Sequence, residues 1–129
     1  NLSENFSVSE LVDNYLSKKT SSVVKVLNEN NYTNEDCILI IRTLLKKTKS
    51  LLNLVVQFHL NKDINETIDN AKPPIFWKEK NIIKDQINLW SIKTLKNLII
   101  EINDVEYNIK RNSVNSINYT TNFLLEKSN

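Results

Sequence analysis

The chain has 129 residues, of which 40% are apolar and 25% charged, and its formal net charge is +2. These values are typical of one folded domain of ordinary size and exclude an intrinsically disordered segment. Glycine is absent, which excludes the glycine-rich loops that bind phosphates in P-loop and dinucleotide-binding proteins.

Helical periodicity begins near the amino terminus. Ser7 and Glu10 match a capping box, which predicts a first helix over about residues 7–18. Thr20–Ser22 is predicted to cap a short second helix, and the asparagine-rich residues 28–31 are predicted to form a turn. Because the chain has no glycine, we expect asparagine to occupy the left-handed positions at helix ends.

The longest helix is predicted to start at Thr33, which forms a capping box with Asp36, and to run to about Leu60. Two adjoining apolar stripes follow it and predict a central helix with several neighbours. The stripes consist of Cys37, Ile38, Ile41, Leu44, Leu45, Thr48, Leu51, Leu52, Val55, Phe58 and His59. The opposite face carries Arg42, Lys46, Lys49 and Asn53, with Lys47 beside them.

Four more helices are predicted in the rest of the chain. The first covers about residues 64–70, and the proline pair Pro73-Pro74 prevents it from continuing. The second covers about 79–89, and the third is capped by Ser91 and runs past Ile109. The last covers about 113–126 and is predicted to bury Ile117, Thr121, Phe123 and Leu124. No stretch alternates as a strand does, so the predicted fold class is all-α, a compact bundle of six to seven helices.

The segment from Lys72 to Ser91 contains both prolines and both tryptophans of the chain. It is interpreted as a stiff, aromatic-anchored junction between helices, with Trp90 as a core anchor. Gln86 is expected to bond a helix end. The other half, Phe76, Trp77, Lys78 and Lys80, suits stacking on nucleic-acid bases and equally suits packing into a partner protein's groove.

No constellation of residues predicts catalysis or metal binding. His59 is the one histidine and has no ligand pattern around it, so a partly buried structural role is favoured. Cys37 is interpreted as a small buried apolar residue, and a single cysteine fits a reducing, cytoplasmic compartment. We therefore expect no catalytic activity and no cofactor. No window approaches eighteen uninterrupted apolar residues, so no membrane span is expected either.

Glu106 lies on the apolar side of its predicted helix. Two interpretations are open: an ion pair with Lys110, four residues on, or a bond to another helix that fixes the angle between the two.

Two lysine clusters, at 46, 47 and 49 and at 78, 80 and 84, predict either solvated helix faces or contacts to nucleic-acid phosphates. The candidates for phosphate contacts are Arg42, Lys46, Lys49, Lys78 and Lys80.

One pattern of residues resembles a known family. It comprises Pro73-Pro74, Phe76-Trp77-Lys78, Lys80, Gln86, Trp90-Ser91, Leu95, Leu98 and the pair Glu106 with Lys110. These residues resemble the C-terminal domain of the delta subunit of bacterial DNA polymerase III, a subunit of the clamp loader. The specific part of the pattern covers about residues 72–110. Members of this family often have Thr-Gly or a similar turn after the lysine, sometimes with an aromatic residue that can meet the DNA end. Here the lysine is followed by Arg111-Asn112-Ser113, without a glycine or an aromatic, so a base-stacking contact at that turn is not expected.

The resemblance implies a role in DNA replication. Residues 1–129 would form a single collar domain at the C-terminal end of a longer chain whose AAA+-like N-terminal domains contact the sliding clamp. The implied partners are the motor subunit gamma/tau and delta-prime, with primer–template DNA nearby. The alternative is a free-standing helical nucleic-acid-binding module; a small helical enzyme is disfavoured.

Overall fold

The computed structural model describes the backbone of residues 2–127 and the side chains of residues 6–126. Within this range the protein is an all-α bundle. The helices are α1 (Leu2–Leu16), α2 (Thr20–Glu29), α3 (Asn34–Asn61), α4 (Ile64–Asp69), α5 (Lys80–Leu89), α6 (Ile92–Arg111) and α7 (Ser116–Lys127). Two 3₁₀ turns, Trp77–Glu79 and Ser113–Asn115, lead into α5 and α7. The predicted fold class of six to seven helices is confirmed.

The predicted start of the first helix is wrong. Helix α1 is already continuous at Ser7, so Ser7 and Glu10 lie inside the helix rather than at its end. The second helix begins at Thr20, but its N-cap is Lys19 and no side chain caps it. A Ser-x-x-Glu spacing also places two residues on neighbouring turns of a helix interior, which explains the false capping signal.

The predicted capping box of α3 is present, and the predicted Ser91 cap of α6 is part of a second capping box, with Thr94. The Thr33 hydroxyl accepts a hydrogen bond of 3.2 Å from the Asp36 amide, and the Asp36 carboxylate accepts one of 2.8 Å from the Thr33 amide. At the start of α6 the Ser91 hydroxyl accepts from the Thr94 amide at 3.1 Å. Each box satisfies amide groups that the first turn of a helix leaves open.

Between residues 2 and 127, lysines and not asparagines take the left-handed positions. Lys18 follows α1 with φ 57°, and Lys62 ends α3 with φ 59°. The amide of Lys18 donates to the Tyr15 carbonyl and that of Lys19 to the Asn14 carbonyl, which is the Schellman arrangement that a glycine normally completes. The expectation that asparagine replaces glycine here is wrong.

Helix α3 is central, as predicted. It contacts α1, α4, α5, α6 and α7, and it packs most extensively against α6. The first predicted stripe of α3 is buried from Cys37 to Val55, and Ile40 and Leu54 are buried as well. The second stripe is only partly buried at Ile38, Leu45 and Leu52. In the last turn of α3, His59 and Leu60 are both exposed, so a partly buried His59 is a wrong prediction.

The core closes with α6 and α7. Helix α6 buries Leu95, Leu98, Ile102 and Ile109, and α7 buries Phe123 and Leu124. Ile117 was predicted to be buried but is exposed, because the small polar side chains of Ser116 and Thr120 occupy the inner face of α7 instead. Phe123 stacks on Tyr15 of α1 with ring centroids 6.0 Å apart.

Candidate assembly and nucleic-acid surfaces

The junction between α5 and α6 is tied to the C-terminal end of α1. The indole Nε1 of Trp90 donates to the Leu16 carbonyl at 2.7 Å. Gln86 Nε2 donates to the Asp13 carbonyl at 3.2 Å and to Ser17 Oγ at 3.1 Å. The predicted bond from Gln86 to a helix end is therefore present, and the half-buried Trp90 acts as an anchor.

One of these contacts satisfies a group that α1 cannot satisfy by itself, whereas the Asp13 carbonyl already accepts from the Ser17 amide at 2.9 Å. The last carbonyls of a helix lack partners within the helix. The Schellman arrangement at Lys18 and Lys19 covers Tyr15 and Asn14, and Trp90 reaches the Leu16 carbonyl. The ammonium of Lys18 lies 4.3 Å from the centroid of the Trp90 ring, which adds a cation–π contact.

The proline pair forms one wall of a groove. The Lys72–Pro73 peptide bond is cis, Pro73 and Pro74 are exposed, and Ile75 packs against the core. The groove encloses about 320 Å³ between this segment, α3 and α5. Its apolar lining consists of Leu51, Leu54, Ala71, Pro73, Pro74, Ile75, Phe76, Ile82 and Ile83.

A polar cluster between α1 and α3 contributes to the same groove. Lys47 Nζ lies 2.7 Å from Asp13 Oδ1 and donates to Ser9 Oγ at 2.8 Å. Lys47 is half-buried, so its charge is committed to α1 and is not part of a solvated basic face. Sequence reasoning missed this pair because its partners are separated by 34 positions and no local pattern connects them.

The aromatic half of the junction faces solvent. Phe76 is 56% exposed and Trp77 is 69% exposed, and their ring centroids lie 6.0 Å apart. The ammonium of Lys78 lies 5.4 Å from the centroid of the Trp77 ring. A large exposed aromatic beside a cation is an arrangement that binds either a base or a partner's apolar surface.

The five candidate phosphate contacts differ in their electrostatic surroundings. Lys80 Nζ pairs with Asp69 at 3.0 Å, and Arg42 Nε lies 3.7 Å from Glu106. Lys46 and Lys49 are exposed on α3, and neither makes an ion pair or hydrogen bond with a side chain between residues 6 and 126. Among these five residues, the positive charge that is not paired with a carboxylate is therefore on Lys46, Lys49 and Lys78.

Glu106 makes the predicted ion pair with Lys110 and also lies near a cation of a second helix. Its carboxylate accepts a hydrogen bond from Lys110 Nζ at 2.8 Å within α6, and it also lies 3.7 Å from Arg42 of α3. The side chain of Glu106 is 17% exposed. The hydrogen bond from Lys110 holds the pKa of the Glu106 carboxyl below its ordinary value, with the charge of Arg42 adding to the effect and burial opposing it.

Cys37 is buried, and this burial raises the pKa of its thiol. Between residues 2 and 127, no three His, Cys, Asp or Glu side chains lie close enough to hold a metal ion. No helix in that range combines the length and the apolar character needed to cross a membrane.

No protein-family model, no curated protein and no solved structure matches this chain.

Proposed function

We propose that this chain is the collar domain of a clamp-loader delta subunit of bacterial DNA polymerase III, acting in DNA replication in the cytoplasm. The observation that carries the proposal is that residues of the family-like pattern join different helices. Gln86 and Trp90 both bond the end of α1, Ser91 caps α6, and Glu106 joins Lys110 to Arg42 of α3. The use of these residues in contacts between helices supports a packing role for the pattern, as the proposal expects.

The mechanism of such a domain is geometric. Core contacts around α3 keep the helices in fixed positions, so the outer faces of the bundle reach neighbouring subunits at set angles. A ring of these domains would hold the motor subunits together and transmit the movements that ATP binding causes elsewhere. The domain itself carries no catalytic role in this proposal, and the sliding clamp would be contacted by other parts of the delta chain.

Association with loader subunits tests the proposal. The purified chain is mixed at micromolar concentration with the cognate gamma/tau motor subunit and delta-prime, and the species are resolved by size-exclusion chromatography with light scattering. A complex containing all three proteins is expected. If the chain elutes alone while gamma/tau and delta-prime associate with each other, the collar assignment is wrong.

The second candidate function is direct binding of nucleic acid. The observation that favours it is the exposed Trp77 with Lys78 beside its ring, together with the unpaired Lys46 and Lys49. Fluorescence anisotropy on primer–template DNA, repeated at several salt concentrations, separates the two functions. Tight binding by the isolated chain that weakens steeply with salt would favour a free-standing nucleic-acid-binding module.

Substitutions assign any such binding to residues. Trp77→Ala is expected to weaken DNA binding by about 1–3 kcal/mol if a base stacks there. Phe6→Ala, on α1, is the matched control because Phe6 is an aromatic side chain that is 72% exposed and lies outside the proposed contacts. Equal effects of the two substitutions would argue against stacking on Trp77.

A further inference from the structure

The outward face of α6 carries large apolar side chains that the bundle does not cover. Ile100 and Tyr107 are each 60% exposed, whereas Leu95, Leu98, Ile102 and Ile109 of the same helix are buried. Ile100 and Tyr107 are seven positions apart, so they project from the same side of α6, nearly two turns from each other. Val114, in the 3₁₀ turn after α6, is 82% exposed.

The spacing of these side chains suits a helix as the occupant. Seven positions is the repeat at which one helix meets another along a shallow crossing, with each apolar side chain seated between residues of the facing helix. Single exposed apolar residues are common on protein surfaces and need no explanation. Here two large side chains repeat seven positions apart on one exposed helix face, which supplies one of the two apolar positions that each heptad of a helix-packing seam uses.

The charges around the seam specify the partner further. Lys93 and Lys96 are exposed at the N-terminal end of α6, and Arg111 is exposed at its C-terminal end. The guanidinium of Arg111 lies 5.3 Å from the centroid of the Tyr107 ring, so it is held beside the seam. Asp104, the one exposed acidic residue of α6, lies on this face between Ile100 and Tyr107, so the three cations at the ends outnumber a single carboxylate at the centre.

We infer that the outer face of α6, defined by Lys93, Lys96, Ile100, Tyr107 and Arg111, docks an amphipathic helix of a partner protein whose flanking residues are acidic. Apolar residues of that helix cover Ile100 and Tyr107, and its carboxylates meet the cations at both ends of the seam. The inference does not depend on the collar proposal, because any protein with an acidic amphipathic helix could be the partner.

Two synthetic peptides test the docking. Each is three heptads long, capped at both ends and labelled with fluorescein, with one leucine per heptad on an alanine-rich helix. One carries glutamates beside the leucines, and the other carries lysines at the same positions. Fluorescence anisotropy with the whole chain is expected to give binding of the glutamate peptide in the range of about 10–100 μM, and at least about tenfold weaker binding of the lysine peptide.

Variants locate the binding on α6. Ile100→Ser combined with Tyr107→Ser is expected to weaken binding of the glutamate peptide about tenfold or more. Lys93→Glu combined with Lys96→Glu is expected to reverse the preference between the two peptides. Circular dichroism melting of each variant checks the fold, which these exposed substitutions should leave intact.

Several results would overturn the inference. They are equal binding of the two peptides, no binding of either peptide at millimolar concentration, or an unchanged affinity in the folded double serine variant. Polyglutamate, which has no apolar residues, is the last control. If it competes as well as the glutamate peptide, α6 carries a plain basic surface and not a helix-docking seam.

Discussion

The indole nitrogen of Trp90 bonds the carbonyl oxygen of Leu16 at 2.7 Å, across 74 positions of the chain. The bond closes the C-terminal end of α1 with a side chain from the junction before α6. Replacing Trp90 with Phe keeps most of the ring and removes the donor. Because the Leu16 carbonyl would lose its partner, unfolding free energy should fall by about 1–3 kcal/mol, measured by urea denaturation.

Trp77→Phe is the matched control for that measurement. The same change at an exposed tryptophan with no hydrogen bond to the core should alter stability by less than about 0.5 kcal/mol. Equal losses in the two variants would mean that the Trp90–Leu16 bond contributes nothing specific.

The ion pair between Lys47 and Asp13 should contribute to stability more than a surface pair does. Lys47→Met keeps much of the aliphatic stem and leaves Asp13 without its partner at 2.7 Å. Since both side chains are about 28% exposed, solvent screens part of the effect, and we expect a loss of about 1 kcal/mol. Lys46→Met, one position earlier on the exposed side of α3, should be close to neutral in the same denaturation experiment.

Glu106 should make stability depend on pH in the acid range. Its pKa is lowered in the folded protein, so the unfolded chain binds more protons near the ordinary pKa of about 4.3. The contribution of Glu106 is therefore complete above that value and is lost as pH falls through the lower pKa of the folded state. The stability difference between the wild-type chain and Glu106→Gln should shrink steadily from about pH 6 to pH 3.

Asp104→Asn provides the comparison for that titration, because Asp104 is exposed on the same helix. A pH-independent difference for Glu106→Gln would show that the Lys110 and Arg42 contacts do not favour the ionised carboxylate.

Tyr15 should tolerate loss of its hydroxyl. The ring is 1% exposed and stacks on Phe123, and the hydroxyl has no hydrogen-bond partner among the described residues. Removing an unsatisfied buried hydroxyl lifts its desolvation cost, so Tyr15→Phe should leave stability unchanged or raise it by up to about 1 kcal/mol. A loss larger than 1 kcal/mol in urea denaturation would reveal a partner for the hydroxyl.

Local signals explain which parts of the fold were predictable. Thr33 with Asp36 fixes a helix start within four residues. The broad apolar face of α3 is readable from the sequence and predicts that this helix is central. The start of α1 was misjudged because the spacing of Ser7 and Glu10 occurs inside helices as well as at their ends. Likewise, Ser116 occupies the inner face of α7 although its polarity predicts exposure.

The candidate surfaces were only partly predictable, since they depend on distant partners. Gln86 and Trp90 were recognised as anchors from their place among apolar residues, but their acceptors on α1 lie far away in sequence. The sequence places Lys47 beside a basic face of α3, but in the folded chain Lys47 pairs with Asp13 of α1. Charge pairs of this kind are properties of the fold and leave no trace in local spacing.

Because the chain has no glycine, two lysines adopt positive φ angles, and this conformation lowers stability. A side chain at positive φ costs about 1 kcal/mol relative to glycine, so Lys62→Gly should relieve strain at the end of α3. At Lys18 the same replacement would also remove the ammonium over Trp90, and the relief should be smaller or absent. Two lysines with nearly the same φ thus differ in whether a side-chain contact offsets their strain, and of the two Lys62 is the one open to simple stabilisation.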